Sequence, residues 1–226
     1  MKTIIELKDV SKVYKMGEVE VKALRNVTLK IMEGEFVAMM GPSGSGKSTM
    51  MNMIGCLDIP TSGKVFLDGQ DISRFRESRL ARLRGDKIGF VFQFFNLYPS
   101  LSVAGNIELP MRIHDYDEKR IRERTLELLR LIGMEEWKNH LPSQISGGQM
   151  QRVSIARALS TDPAIILADE PTGNIDSKNA KDIMGFLKKL HEEKNETIVI
   201  VTHDVNVAKY AHRIIQLKDG QLEKGG

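Results

Sequence analysis

The sequence predicts an α/β fold: a mostly parallel sheet, an antiparallel β portion near its start, and a helical insert midway. Three observations carry this. Strand-like segments crowd the first third, an amphipathic helical stretch fills the middle, and continuously apolar runs return in the last third with a helix between them.

The early segments are Ile4–Tyr14, Val21–Ile31, Glu35–Gly41 and Lys64–Leu67, parted by turn signals at Met16-Gly17, Glu33-Gly34 and Asp68-Gly69. Alternation over Val27–Ile31 predicts a half-buried antiparallel strand. Phe36–Met40 is apolar throughout, as expected of a central strand covered on both faces. In the middle, Ile121, Thr125, Leu128, Leu129 and Ile132 recur at helical spacing and mark one face of a packed helix. Ala164–Ala168 and Thr197–Thr202 read as buried strands. The helix between them shows Ile183, Phe186, Leu187 and Leu190 on one face, with Asp176 or Ser177 placed to cap it.

Composition narrows the function. The chain has 226 residues, 41% hydrophobic and 28% charged, enough for one domain with a sizeable core. A net charge of +3 argues against a whole-surface grip on nucleic acid or membrane. Cys56 is the only cysteine, which excludes an internal disulfide and cysteine-rich zinc sites. The longest apolar runs are too short to span a bilayer, and the start lacks the apolar stretch of a secretory signal. The expected setting is cytoplasmic, with any membrane role indirect.

Gly41-Pro42-Ser43-Gly44-Ser45-Gly46-Lys47-Ser48 fits G-x-x-x-x-G-K-[ST], between an apolar strand and helix-compatible residues beginning at Thr49. Glycines let successive backbone N–H groups curl around phosphate oxygens, and the following helix adds positive potential at its N-terminus. Lys47 is placed to bridge the β- and γ-phosphates, and the Ser48 hydroxyl to complete magnesium coordination. The phosphate-binding set therefore runs from Gly41 through Thr49. The plain alternative, a glycine-rich turn with an exposed lysine, leaves the filled fixed positions unexplained.

Ile165–Ala168 leads into Asp169-Glu170. An apolar strand ending in an acid can deliver a carboxylate to the metal from the sheet's carboxyl edge. Asp169 is the metal-side carboxylate, and Glu170 is placed to polarise the attacking water. Another buried strand ends at Thr202-His203, bringing an imidazole to the same edge as a candidate γ-phosphate contact. The N-K-x-D guanine-reading pattern is absent from the sequence, which disfavours a Ras-like GTPase.

Ile145-Ser146-Gly147-Gly148-Gln149-Met150-Gln151-Arg152 resembles the ABC ATPase signature, usually Leu-Ser-Gly-Gly-Gln. With the P-loop, Asp169-Glu170 and His203 in order, essentially the whole chain resembles an ABC transporter nucleotide-binding domain. Ile145 for leucine is a conservative departure, and Asn174-Ile175 differs from the common Ala-Leu. The resemblance implies a P-loop NTPase core with an antiparallel β subdomain and a helical signature subdomain. It divides the chain into residues 1–94 and 161–226 for the core and 95–160 for the helical part.

The resemblance also assigns roles. Gln93 becomes the Q-loop glutamine, a metal and catalytic contact; Gly173–Asp176 becomes the D-loop; Tyr14 becomes the adenine-stacking aromatic. Lys47, Gln93, Glu170 and His203 form the implied catalytic set. Ser48, Gln93 and Asp169 form the metal set, for ATP and Mg2+. Ser146, Gly147, Gly148 and Gln149 face the nucleotide of a second subunit, so the chain is expected to homodimerise on ATP. Independently, Ser146 is a good N-cap and the two glycines expose amides at a helix start.

Lys15–Val21, Phe92–Pro99 and Asn106–Pro110 resemble the branch holding lipoprotein-releasing, macrolide-export-type and cell-division ATPases. The resemblance implies integral membrane permease partners and peripheral attachment to the cytoplasmic face. Phe94, Phe95, Leu97 and Tyr98 are candidates to line a groove for such a partner. The alternative is an ABC ATPase acting on nucleic acid or ribosomes. Lys47 and Ser146 lie only 99 positions apart, too close for the long coiled coils of chromosome-type members, and no nucleic-acid partner is expected. A P-loop kinase would leave the signature unexplained. The arginine-rich stretch Arg74–Arg84 reads most simply as a solvated helix face, and Trp137 as a packing residue.

Overall fold

The computed structural model describes residues 2–223. The chain opens with two long antiparallel strands, β1 (Thr3–Met16) and β2 (Val19–Met32), joined through Gly17 at φ 63°. Their register shifts near Asp9 and Asn26, which both take left-handed backbone at φ 48° and 49°. Such short polar residues tolerate that region, and the bulges increase the local twist.

Next come β3 (Phe36–Met40) and α1 (Lys47–Ile54), followed by β4 (Ser62–Leu67) and the two-residue β5 (Gln70–Asp71). Then α2 (Glu77–Lys87) leads directly into β6 (Ile88–Val91). A helical block follows: α3 (Val103–Ile113), α4 (Glu118–Ile132), 3-10 turns at 135–137 and 142–144, and α5 (Gly147–Leu159). The chain finishes with β7 (Ile165–Asp169), α6 (Ser177–Lys194), β8 (Ile198–Val201), α7 (Val205–Ala208), β9 (Arg213–Lys218) and β10 (Gln221–Leu222).

Two sheets result. The antiparallel one runs β2-β1-β4-β5, and the six-stranded one runs β10-β9-β3-β8-β7-β6. Within the latter, β9, β3, β8, β7 and β6 are parallel, and only edge strand β10 is antiparallel.

All five β3 residues are buried, and their alternation sorts them between two cores. Val37, Met39, Leu167, Val199 and Val201 join the antiparallel sheet and α1 in one cluster. Phe36, Ala38, Ile166, Ala168, Ile198 and Ile200 face α3 to α6 in the other. A strand buried on both faces needs apolar residues at every position, which is what Phe36–Met40 supplies.

The helices bear out the sequence stripes. Ile121, Thr125, Leu128, Leu129 and Ile132 are all buried on α4, which Asp117 caps and Gly133 ends at φ 67°. On α6, Ile183, Met184, Leu187 and Leu190 are buried and Phe186 half-buried; Asp176 is the cap, accepting from the Lys178 and Asn179 N–H groups. Strands β5, β9 and β10 have no counterpart in the sequence reading, being too short or too weakly patterned to announce themselves. No helix among the described residues is long and apolar enough to cross a membrane.

Candidate nucleotide site

Two of the phosphate-loop glycines are dictated by close approach. A Cβ on Gly41 (φ 154°) would collide with the Leu217 carbonyl, and one on Gly46 (φ 102°) with the Ala23 carbonyl. Any side chain there would push the loop off β9 or off β2. The Gly220 N–H donates to the Ser45 carbonyl at 2.9 Å, so the final hairpin braces the loop from outside. This brace belongs to β9 and β10, which lie far from the loop in sequence.

Helix α1 begins at Lys47, so Ser48 and Thr49 occupy its first turn, where backbone N–H groups lack intrahelical partners. The Lys47 ammonium donates to the Gly41 and Pro42 carbonyls at 2.8 and 2.9 Å, held across the mouth of its own loop.

Strands β7 and β8 are parallel neighbours and end together. The Glu170 carboxylate accepts from the Thr202 hydroxyl at 3.1 Å, the His203 N–H at 3.1 Å and His203 Nδ1 at 2.6 Å. Glu170 takes φ 44°, a left-handed turn directly after the strand that swings its carboxylate toward β8. The Glu170 side chain is 19% exposed and that of His203 79%. Because Nδ1 donates to the carboxylate, Nε2 is left for an outside partner. Thr202, fully buried, joins this cluster although the sequence reading gave it no role. Its signal is a hydroxyl directly after a buried strand and directly before His203.

Asp169, half-buried, sits beside this pair. Burial first, then the neighbouring Glu170 charge, push its carboxyl above the usual range, and Lys47 partly offsets them. Strands β3, β8 and β7 are parallel neighbours, so the phosphate loop after β3 and Asp169 at the end of β7 share one sheet edge.

Tyr14 is anchored more firmly than sequence suggested. Its hydroxyl donates to Asp58 at 2.9 Å, and the Lys12 ammonium lies 4.9 Å from the ring centroid while donating to the same carboxylate at 2.6 Å. Burial, then Asp58, push the phenol up, with the Thr49 hydroxyl acting against them. Asp58 and Lys12 carry no motif that names them; only the fold brings them together.

The signature forms the start of α5. The Ser146 hydroxyl accepts from the Gln149 N–H, and the Gln149 side chain accepts from the Ser146 N–H at 2.8 Å, a reciprocal cap. Gly147 packs near Ile175 and Phe95, and a Cβ on Gly148 would collide with Asn179. Among the described residues, no hydrogen bond or ion pair joins Ser146–Gln149 to the phosphate loop. Gln93 lies against the other side of the same region: its backbone carbonyl accepts from the Asn174 amide at 3.0 Å, and its side chain crowds Gly173. Both contacts are with the D-loop segment, not with Ser48.

Comparison with known proteins shows the family. Residues 24–173 match the ABC transporter family. An uncharacterized ABC transporter ATP-binding protein of Methanocaldococcus jannaschii, MJ0796, is 56% identical over 98% of this chain and 96% of its own length. The macrolide export ATP-binding/permease protein MacB of Escherichia coli is 46% identical over the whole chain, which spans only 35% of that protein. A solved dimer of the ATP-binding cassette MJ0796 in a post-hydrolysis state, bound to ADP and Pi, superposes with a TM-score of 0.87 at 54% identity, covering 98% of this chain and 97% of that one. The chain belongs to the ABC transporter family, as one of its ATP-binding, ATP-hydrolysing cassettes.

Proposed function

We propose that this cassette closes as a head-to-tail dimer on two Mg-ATP and drives movement in integral membrane permease subunits on the cytoplasmic face, in an export or lipoprotein-release type of system. The observation that carries the reading is the convergence at one sheet edge. Lys47, Asp169 and the Glu170–His203 pair come together, while the capped amides of Ser146–Gln149 are bonded to none of them. In such a dimer each signature serves the facing subunit's nucleotide, a two-fold arrangement of heterologous half-sites that closes on itself.

Within each site, Lys47 neutralises phosphate charge and Tyr14 stacks on adenine. Glu170 takes the proton of the attacking water, and His203 Nε2 meets the γ-phosphate. Ser48, Asp169 and Gln93 would hold Mg2+, which would offset phosphate charge; so few protein ligands suit an ion that keeps several of its waters. Residues 95–160 act as the helical subdomain. The MacB relatives join cassette and permease in one chain by name, which supports a membrane partner here. The exposed Phe94 and Tyr98 offer it an apolar contact.

The trans arrangement has a direct test. In a mixed dimer of Ser146→Arg and Lys47→Ala subunits, one composite site carries both defects and the other carries neither. Phosphate release by the mixture should exceed the summed activity of the two parents. Equality in verified mixed dimers would refute the head-to-tail site.

A further inference from the structure

Gln151 is fully buried on α5, five residues past the signature serine, although its side chain is polar. Its amide Nε2 donates to the Pro171 carbonyl at 2.7 Å and lies 3.5 Å from the Phe92 carbonyl. Pro171 directly follows Glu170, and Phe92 directly precedes Gln93. One side chain therefore touches the backbone beside both residues that meet the reacting end of ATP. Its Oε1 has no partner among the described residues. A buried acceptor left unpaired is unfavourable, and a leucine or methionine would avoid it. What the position retains is the donor.

The neighbouring packing makes this contact stiff. β6 approaches α5 so closely that a Cβ on Gly89 would collide with the Ala158 carbonyl. On the other side of α5, Arg152 donates to the Ile132 carbonyl at 3.3 Å, tying it to the end of α4. Adjacent residues 151 and 152 thus fasten α5 in two directions, toward the strand ends and toward the helical block. Five residues of helix separate Gln151 from Ser146, about 7.5 Å.

We infer that Gln151 is a positioning residue. Its amide ties the signature helix to the backbone carrying Gln93 and Glu170, so that the helix presented to the facing subunit and the hydrolytic groups of its own subunit move together. This rests on the assignment of Glu170 and Gln93 above. Gln151 itself touches no phosphate.

The test uses the full chain with two variants, Gln151→Leu and Gln151→Glu. Leucine fills the space without a donor. A buried glutamate facing two carbonyls favours its protonated form, whose O–H restores the donor and is lost as pH rises. Small displacements of reacting groups are enough to lower rates by up to about 100-fold. For Gln151→Leu we expect ATP affinity, read with a fluorescent ATP analogue, within about twofold of wild type and kcat lower by about 10- to 100-fold. The Gln151→Glu to wild-type kcat ratio should climb as pH is lowered from 8.5 to 6.5, while the Gln151→Leu ratio stays flat. If Gln151→Leu does not fold, the Gln151→Glu pH profile decides alone. Wild-type kcat in Gln151→Leu, or a flat ratio for Gln151→Glu, overturns the inference and leaves Gln151 a packing residue. Glu170→Gln in the same assay keeps the two claims apart: if it hydrolyses ATP normally, the failure lies with the Glu170 assignment.

Discussion

Replacing Glu170 by glutamine changes one charge and almost nothing else. The carboxylate accepts from the Thr202 hydroxyl, the His203 N–H and His203 Nδ1. A glutamine oxygen can take the Oε1 place and keep both His203 contacts. Its amide then faces the Thr202 hydroxyl, which can rotate to accept, as it already does from the Asp204 N–H at 3.1 Å. The left-handed backbone at residue 170 is as accessible to glutamine as to glutamate, so no new strain arises. Folding stability should therefore shift by no more than about 1 kcal/mol, the scale of one altered hydrogen bond. The chemical step loses its base, a deficit of about 10²–10⁴ in rate, or about 2.7–5.4 kcal/mol of barrier. ATP binding persists because Lys47 and the phosphate loop are untouched, so the variant should accumulate as an ATP-bound dimer. Phosphate release measured at saturating ATP, gel filtration with and without ATP, and a thermal melt read these three quantities. Turnover within tenfold of wild type, or a monomer at saturating ATP with binding confirmed, would refute the reasoning.

Two further outcomes follow from the same geometry. Burial and Glu170 raise the Asp169 carboxyl's pKa, so folding favours its neutral form and ionisation lowers stability as pH rises through the folded value. Asp169→Asn should then raise Tm at pH 7 by about 2–4 °C for each kcal/mol recovered, with a smaller gain at pH 4, while Mg2+-dependent hydrolysis is lost; a lower Tm at pH 7 contradicts this. Of the aromatics after Gln93, Phe94 is 72% exposed and Tyr98 53%, whereas Phe95 lies inward against Gly147. Phe94→Ser or Tyr98→Ser should leave basal ATPase and Tm nearly unchanged and weaken pull-down of the membrane partner. Unaltered pull-down in both would place the docking surface elsewhere.

The residue-by-residue chemistry of this protein is written locally, and so it could be read from the chain. Phe36–Met40 announces a strand covered on both faces because every residue is apolar. The α4 stripe announces itself by its period, and the phosphate loop by glycines whose spacing the backbone requires. Capping is equally local: Asp176 and Ser146 act within three residues of themselves. Tertiary structure decided what depends on contacts between distant segments. The brace of Gly220 and Leu217 on the phosphate loop, the Asp58 anchor shared by Lys12 and Tyr14, and the Thr202–Glu170 bond each join segments whose sequences carry no mark of one another. Gln151 shows the difference most directly. Within the signature it is one more polar residue, and only the packing of α5 onto β6 and β7 turns its amide toward the carbonyls of Phe92 and Pro171. A period or a motif records what a segment needs from its neighbours in the chain; which carbonyl a buried donor meets is set by how the helices and sheets pack.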